Sequence, residues 1–218
     1  MRHELLARYG ALAPSGPYRF DAAEVGRRSL RNACLGYLAE LDDIGAGVCW
    51  AQFESADNMT DGAAALALLA QFDVPERPLA LDAFHQRWQG DAIVLDRWLS
   101  VQAGSRRAQA LDDVKALLTH PAYAPRNPNR VRALVGAFVH GNPARFHAAD
   151  GAGYAFLADQ VLAIDGFNPM LAARLAQALA RWRRYEPGRQ ALMRAQLERL
   201  AGAQLSKDLY EVVGKALA

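Results

Sequence analysis

The sequence predicts an all-α fold, an irregular superhelix of stacked antiparallel helical hairpins with about a dozen helices. Three observations carry this. Alanine, leucine and arginine, which enter a helix at little cost, are abundant, and β-branched residues are sparse. Apolar residues recur at helical spacing along nearly the whole chain, interrupted by turn residues about every ten to twenty positions. Capping side chains stand where the periodic runs begin. At 218 residues the chain is long enough to bury a substantial core. Nothing in it reads as a flexible linker, so one helical domain over 1–218 is expected, with 1–20 as a lead-in segment and the helices from 21 to 218. No strict repeat period is visible, which argues against a regular consensus solenoid.

Taken in order, Asp21-Ala-Ala-Glu24 is a capping-box pattern before an amphipathic run through Leu30, Cys34, Leu35, Leu38 and Leu41. Gly45 and Gly47 break that run. A second runs from Val48 to Ala56 and ends at Asn58-Met59-Thr60-Asp61, whose Asn and Thr suit the start of an alanine-rich helix through Phe72. Val74-Pro75 stops it, and further helices are expected to about Trp88, over Ala92–Ala103 and over Ala108–Leu118. The second half has the clearest start signals: Asn127-Pro128, Asn142-Pro143 and Asn168-Pro169. An Asn side chain accepts from an orphan amide two or three residues on, and proline at the first helical position gives up only an amide that had no partner. Glu186-Pro187 is a weaker version, and Ser206 caps a last helix through Tyr210, Val213 and Leu217.

Standard catalytic constellations are not found. His3-Glu4-Leu5-Leu6-Ala7 starts like the helical His-Glu-x-x-His zinc motif, but Ala7 stands where the second imidazole is needed. His85, His120, His140 and His147 form no pair at ligand spacing, so no metal site is expected. There is no Gly-x-Ser-x-Gly elbow. Gly45-Ala-Gly47 and Gly151-Ala-Gly153 lack the third glycine and the strand of a dinucleotide fingerprint, and read as helix stops and turn formers. Asp42-Asp43 and Asp112-Asp113 point to different helix faces and read as solvated surface. Cys34 and Cys49 read as buried core thiols of a reducing compartment. MRHELLARYG carries charges where a signal peptide needs an apolar run, and no window approaches a membrane span. A cytoplasmic chain without membrane association is expected. The formal charge of +2 argues against nucleic acid, although Arg181, Arg183, Arg184 and Arg189 cluster.

The helix after Asn168-Pro169 divides its faces. Leu171, Leu175, Leu179 and Trp182 form a core stripe, whereas Met170, Arg174, Gln177 and Arg181 share the other side. That second stripe reads either as an ordinary wet face or as a cavity wall, where Arg174 would meet a carboxylate or a peptide carbonyl. After Asn127-Pro128, Val131, Leu134, Val135, Phe138 and Val139 face a core, with Arg130 and Arg132 towards the other sides.

Several words in register carry a family resemblance. They are Leu30-Arg31-Asn32-Ala33-Cys34-Leu35; Asn58-Met59-Thr60-Asp61; Asn127-Pro128-Asn129-Arg130-Val131-Arg132 with Gly136-Ala137-Phe138; and Phe146-His147-Ala148 with Asp150-Gly151-Ala152-Gly153-Tyr154. Asn168-Pro169 through Arg174, Arg183-Arg184-Tyr185 with Arg189-Gln190 and Met193, and Asp208-Leu209-Tyr210-Glu211 complete the set. In this order they resemble the C-terminal domain of bacterial aminopeptidase N, the zinc-dependent alanyl aminopeptidase, from about Asp21 to the last residue.

The resemblance implies a helical superhelix that closes over an upstream gluzincin-type catalytic domain, encloses the cavity and admits short peptides. The zinc motifs of that domain are absent here, so this chain alone is expected to bring no catalytic residue and no cofactor, with zinc in the parent hydrolase. Arg174 is implied to line the pocket for the residue after the scissile bond, with Met170 its neighbour one turn earlier and Arg132 a further cavity-facing arginine. The family has Gln where this chain has Met170, which implies a more apolar wall. His147 and Asp150 are implied to be a loop-organising hydrogen-bond pair. The partners expected are the upstream domain of the same polypeptide and short peptides, in a monomer. The alternative is a stand-alone helical-repeat scaffold for a peptide or protein.

Overall fold

The computed structural model describes residues 2–41 and 43–218, so Asp42 of the expected Asp42-Asp43 surface pair lies outside the described residues. These residues contain α-helices, one π-helical stretch and one 3-10 turn, and no strand. The all-α class is as the sequence predicts. The chain forms two compact units, Met1–Trp88 and Gln89–Ala218.

In the first unit, α1 (Arg2–Ala11), α2 (Ala22–Ala39), α3 (Gly45–Ser55), α4 (Met59–Leu69) and α5 (Glu76–Trp88) follow one another. The three residues between α3 and α4 allow only an antiparallel hairpin, and the two helices pack along their lengths. The lead-in segment contains a helix, α1, which packs on α2. Tyr9 anchors it by donating to Gln52 Oε1 at 2.9 Å. Asp21 caps α2 by accepting from Glu24 N at 2.9 Å, but Glu24 does not close the box. Its carboxylate takes Arg27 Nε at 3.0 Å instead. Along α2, Cys34, Leu35 and Leu38 are buried, whereas Leu30 is exposed and Arg28 and Arg31 are buried in its stead. These arginines lie over the rings of Tyr18 and Tyr9 and donate to Arg19 O and Tyr9 Oη.

The words around Asn32 and Asn58 meet in one half-buried network around the buried side chains of Gln52 and Asp61. Asn58 caps α4 on Asp61 N, Asn32 donates to Asp61 Oδ1 at 2.9 Å, and Gln52 donates to Asn32 Oδ1 at 2.7 Å. Gly45 and Gly47 start α3 rather than breaking a run. At Gly45 a Cβ would stand 2.6 Å from Ala39 O, so the end of α2 requires glycine there.

The second unit begins with α6 (Ala92–Ala103) and α7 (Ala110–Leu117). One continuous helical rod follows: α8 (Pro128–Val131), the π stretch (Arg132–Gly136) and α9 (Ala137–Gly141). Then come α10 (Pro143–Phe146), α11 (Ala152–Asp165), α12 (Pro169–Ala180), a 3-10 turn (Trp182–Arg184), α13 (Pro187–Ala201) and α14 (Lys207–Leu217). All three Asn-Pro starts are real caps: the side chains of Asn127, Asn142 and Asn168 accept from Asn129 N, Arg145 N and Leu171 N. Glu186 accepts from Arg189 N and Gly188 N, and Ser206 from Leu209 N. Phe138 stacks edge-on against Phe146 and Phe156, and Phe146 against Tyr154, all four buried.

Asn142 is 1% exposed and has every polar hydrogen occupied, donating to Ala103 O at 2.9 Å and Ser105 O at 2.6 Å. Its replacement by alanine removes a cap and leaves two carbonyls without their donor. Urea unfolding is expected to show Asn142→Ala less stable by about 2–3 kcal/mol; a loss below about 0.5 kcal/mol would show that water replaces the amide.

Candidate functional site

The two faces of α12 separate as its sequence spacing requires. Leu171, Ala172, Leu175, Ala176 and Leu179 are buried, while Met170, Arg174, Gln177 and Arg181 are exposed. Trp182, placed on the core stripe by periodicity, is partly buried and donates its indole N–H to Ala216 O at 3.0 Å.

The facing wall is the rod α8–π–α9. Its lower end is fixed by Arg130. This residue, which spacing puts away from the core stripe of its own helix, is buried because three acceptors converge on its guanidinium. Arg130 donates to Ala122 O at 3.1 Å and Ala92 O at 2.7 Å, and pairs with Asp96. Arg132, two residues on, is exposed and donates to Asn129 Oδ1 at 3.1 Å. The π stretch that starts at Arg132 is packed on α6, where Ser100 Oγ lies 2.9 Å from Ala133 O.

Two grooves lie between these walls. One, of about 440 Å³, is lined by Arg132, Gly136, Ala137, His140, Leu171 and Arg174 among others. The second, of about 400 Å³, is lined by His140, His147, Arg174, Gln177, Arg181 and Tyr185 with Val139, Pro143, Phe146 and Ala178. Arg174 and His140 belong to both. The structure thus brings Arg132 and Arg174 together on one groove. Met170 is 76% exposed and is not among the residues lining either.

Of the stripe that spacing offered as a cavity wall, Arg174, Gln177 and Arg181 line a groove, whereas sequence reasoning missed His140 and the tyrosines around His147. His147 does not pair with Asp150. Its Nδ1 lies 2.9 Å from Tyr154 Oη and its Nε2 3.0 Å from Tyr185 Oη, so both ring nitrogens are taken. Asp150 instead accepts from Ala152 N at 3.0 Å at the start of α11. The neighbouring glycines split in role. Gly151 has φ 71°, the left-handed turn that favours glycine, whereas Gly153 sits inside α11 where a Cβ would come 2.4 Å from Phe146 O.

The remaining candidates carry structure. Among the described residues no group of three or more His, Cys, Asp or Glu is placed to hold a metal, and His3 and Glu4 lie on α1. Both cysteines are buried and unpaired, and burial pushes the Cys49 thiol up to about 12. In the arginine cluster, Arg183 donates to Ala216 O, and Arg189 to His147 O and Glu186. No helix of the described residues is long and apolar enough to cross a membrane.

This succession of helical hairpins has a family. A model described as "Domain of unknown function (DUF3458_C) ARM repeats" matches residues 1–218, and the chain belongs to that family. Among curated proteins it is 48% identical over 218 residues to Aminopeptidase N of Caulobacter vibrioides, covering 98% of this chain and 25% of that one. It is 43% identical over 217 residues to Aminopeptidase N of Escherichia coli, covering 99% of this chain and 25% of that one. Among solved structures it is similar to the crystal structure of Legionella pneumophila aminopeptidase A in complex with aspartic acid. There the TM-score is 0.90 at 31% identity, over 99% of this chain and 26% of that one. The chain therefore spans about a quarter of the length of the relatives it matches, and the resemblance to aminopeptidase N read from its sequence is shown.

Burial holds His140 below the ordinary histidine value, with Arg181 and Arg174 adding to the effect, and does the same to His147 with Arg189. As pH falls through the ordinary histidine range the unfolded chain takes up these protons before the folded one. Their contribution to stability is complete above about pH 7 and is lost as pH falls towards the depressed values. The urea midpoint is expected to drop between about pH 7.5 and pH 5.5, and to drop less in His140→Gln. Equal drops in both proteins would assign the effect to other groups.

Proposed function

We propose that this chain is the C-terminal capping domain of a zinc metalloaminopeptidase, a hydrolase that releases N-terminal residues from peptides. The observation that carries the proposal is the match of the whole chain to about a quarter of aminopeptidase N in two organisms. In this reading the two units act as one domain, supported by a single family model over 1–218. The domain closes over an upstream catalytic domain of the same polypeptide, monomeric and cytoplasmic. The cytoplasmic placement is supported by two buried free thiols.

Among the described residues no group of three or more His, Cys, Asp or Glu is placed to hold a metal; in this reading the zinc is held by the upstream domain, where it would supply an activated water for attack on the scissile carbonyl. What this chain contributes is enclosure and position. Arg174, with Arg132 across the groove, lines the pocket for the residue after the scissile bond, and Met170 adds an apolar edge at the start of α12. A planar guanidinium on a rigid helix holds a peptide carbonyl or carboxylate in one orientation, and excluding bulk water strengthens that contact.

Two measurements test this. Arg174→Ala in the longer polypeptide is expected to lower kcat/KM for dipeptides by roughly tenfold, as loss of one charge-assisted hydrogen bond does, and to affect a single-residue anilide less. Equal losses on both substrates would remove Arg174 from that pocket. The 218-residue chain by itself is expected to leave an alanyl anilide intact. Hydrolysis by the pure chain, stopped by a chelator, would overturn the capping role. A natural reading frame with no upstream His-Glu-x-x-His domain would favour the stand-alone scaffold instead.

A further inference from the structure

We propose that the groove of about 400 Å³ beside α12 is a binding site for a compact oxyanion, a carboxylate or a phosphate, held between Arg181 and Arg174 with Gln177 as a neutral donor. The groove shares Arg174 with the pocket of the proposed function, but anion binding by the 218-residue chain is read without peptidase activity, so either reading can fail without the other.

Three features of the groove support it. The first is its charge balance: none of the residues lining it is Asp or Glu, while two arginines and two histidines face it. Glu186, which follows Tyr185 in the chain, is committed to Gly188 N, Arg189 N and Arg189 Nη1. The second is the state of the arginines. Among the described residues neither Arg174 nor Arg181 has a side-chain hydrogen-bond or ion-pair partner, a state they share with exposed Arg184 but not with Arg183, Arg189 and Arg194. The third is geometry. Arg174 on α12 and Arg181 at its C-cap stand two turns apart, about 10 Å along the helix axis, with Gln177 between them and His140 across the groove. His140, Arg174 and Arg181 line the same groove, and the two guanidiniums add to the lowering of the His140 pKa that burial begins.

Cations gathered without a counter-charge repel one another, and an oxyanion entering between them relieves that repulsion while accepting from two forks. The fixed part of the lining is already built. Tyr185 and His147 bond to each other, and His147 to Tyr154, so the rings do not need to reorder when a ligand binds. A bland alternative exists for Arg181, since a cation at the end of a helix favours the helix dipole. That role would be indifferent to added anions.

The test titrates the 218-residue chain with inorganic phosphate, with N-acetylalanine, and with N-acetylalanine amide, which keeps the shape and lacks the charge. Binding is read by calorimetry and by the NMR titration of His140, whose charged neighbours across the two grooves are Arg132, Arg174 and Arg181, with His147 the other titratable group. Saturable binding of phosphate or N-acetylalanine is expected, with the tighter of the two identifying the source of the oxyanion. Bound anion is expected to raise the pKa of His140. Arg181→Gln should weaken binding roughly tenfold, while Arg199→Gln, which breaks an exposed ion pair with Asp159, should leave it unchanged. Failure of both anions to saturate, equal binding of the amide, or an unshifted His140 would each overturn the site. The His140 titration needs no variant, so the proposal stays testable even if Arg181→Gln does not fold.

Discussion

Asn142 sits where two stretches of the second unit must agree. Its carboxamide oxygen caps α10, and its two amide hydrogens go to the carbonyls that leave α6, at Ala103 and Ser105. Only a primary amide offers two donors and an acceptor at that size. Serine has one donor, and aspartate would set a carboxylate against two carbonyl oxygens. The junction between α9 and α10 is thereby tied to the end of α6. The rod that runs back from that junction packs on α6, and the position of His140 and Arg132 follows from it.

The arginine content has a second explanation besides surface charge. Arg28 donates to Arg19 O, Arg130 to Ala92 O and Ala122 O, Arg145 to Arg106 O, Arg183 to Ala216 O and Arg189 to His147 O. In most of these cases a long side chain reaches a carbonyl in a loop or where a helix or turn ends; Ala92, at the start of α6, is the exception. A fold made of many short helices produces many such carbonyls, and the guanidinium fork, with five donors, suits them. Arginine at these places is a clamp, and the cluster around Arg183 and Arg189 is of this kind. Arg174 and Arg181 differ in having no carbonyl to hold.

What the sequence made legible were the features with short-range causes. The Asn-Pro caps need only the residue and the amide two or three places on, and all three formed. The division of α12 into buried leucines and an exposed Arg174–Gln177–Arg181 edge needs only helical periodicity. What stayed hidden depends on partners distant in the chain. Arg130 and Arg132 look alike in spacing, yet Arg130 is drawn inward by acceptors about thirty to forty residues away in α6. His147 and Asp150 are near neighbours in sequence, yet the imidazole bonds to Tyr154 and Tyr185, the latter 38 residues on. The helix α1 is hard to read in the sequence because Arg31 and Gln52, the partners of Tyr9, lie 22 and 43 residues on.

The π stretch from Arg132 to Gly136 has a consequence for which side chains share a wall. In an uninterrupted α-helix, positions eight apart are rotated by about 80° relative to one another, and positions seven apart by only about 20°. A widened turn absorbs one residue, so Arg132 and His140, eight apart in number, stand as if seven apart and line the same groove. The extra residue changes the count without changing the phase of either flank. The groove therefore depends on a local defect of winding that no periodicity measured over the whole rod would reveal, and Ser100, beside the carbonyl of Ala133, is the residue of α6 that meets it.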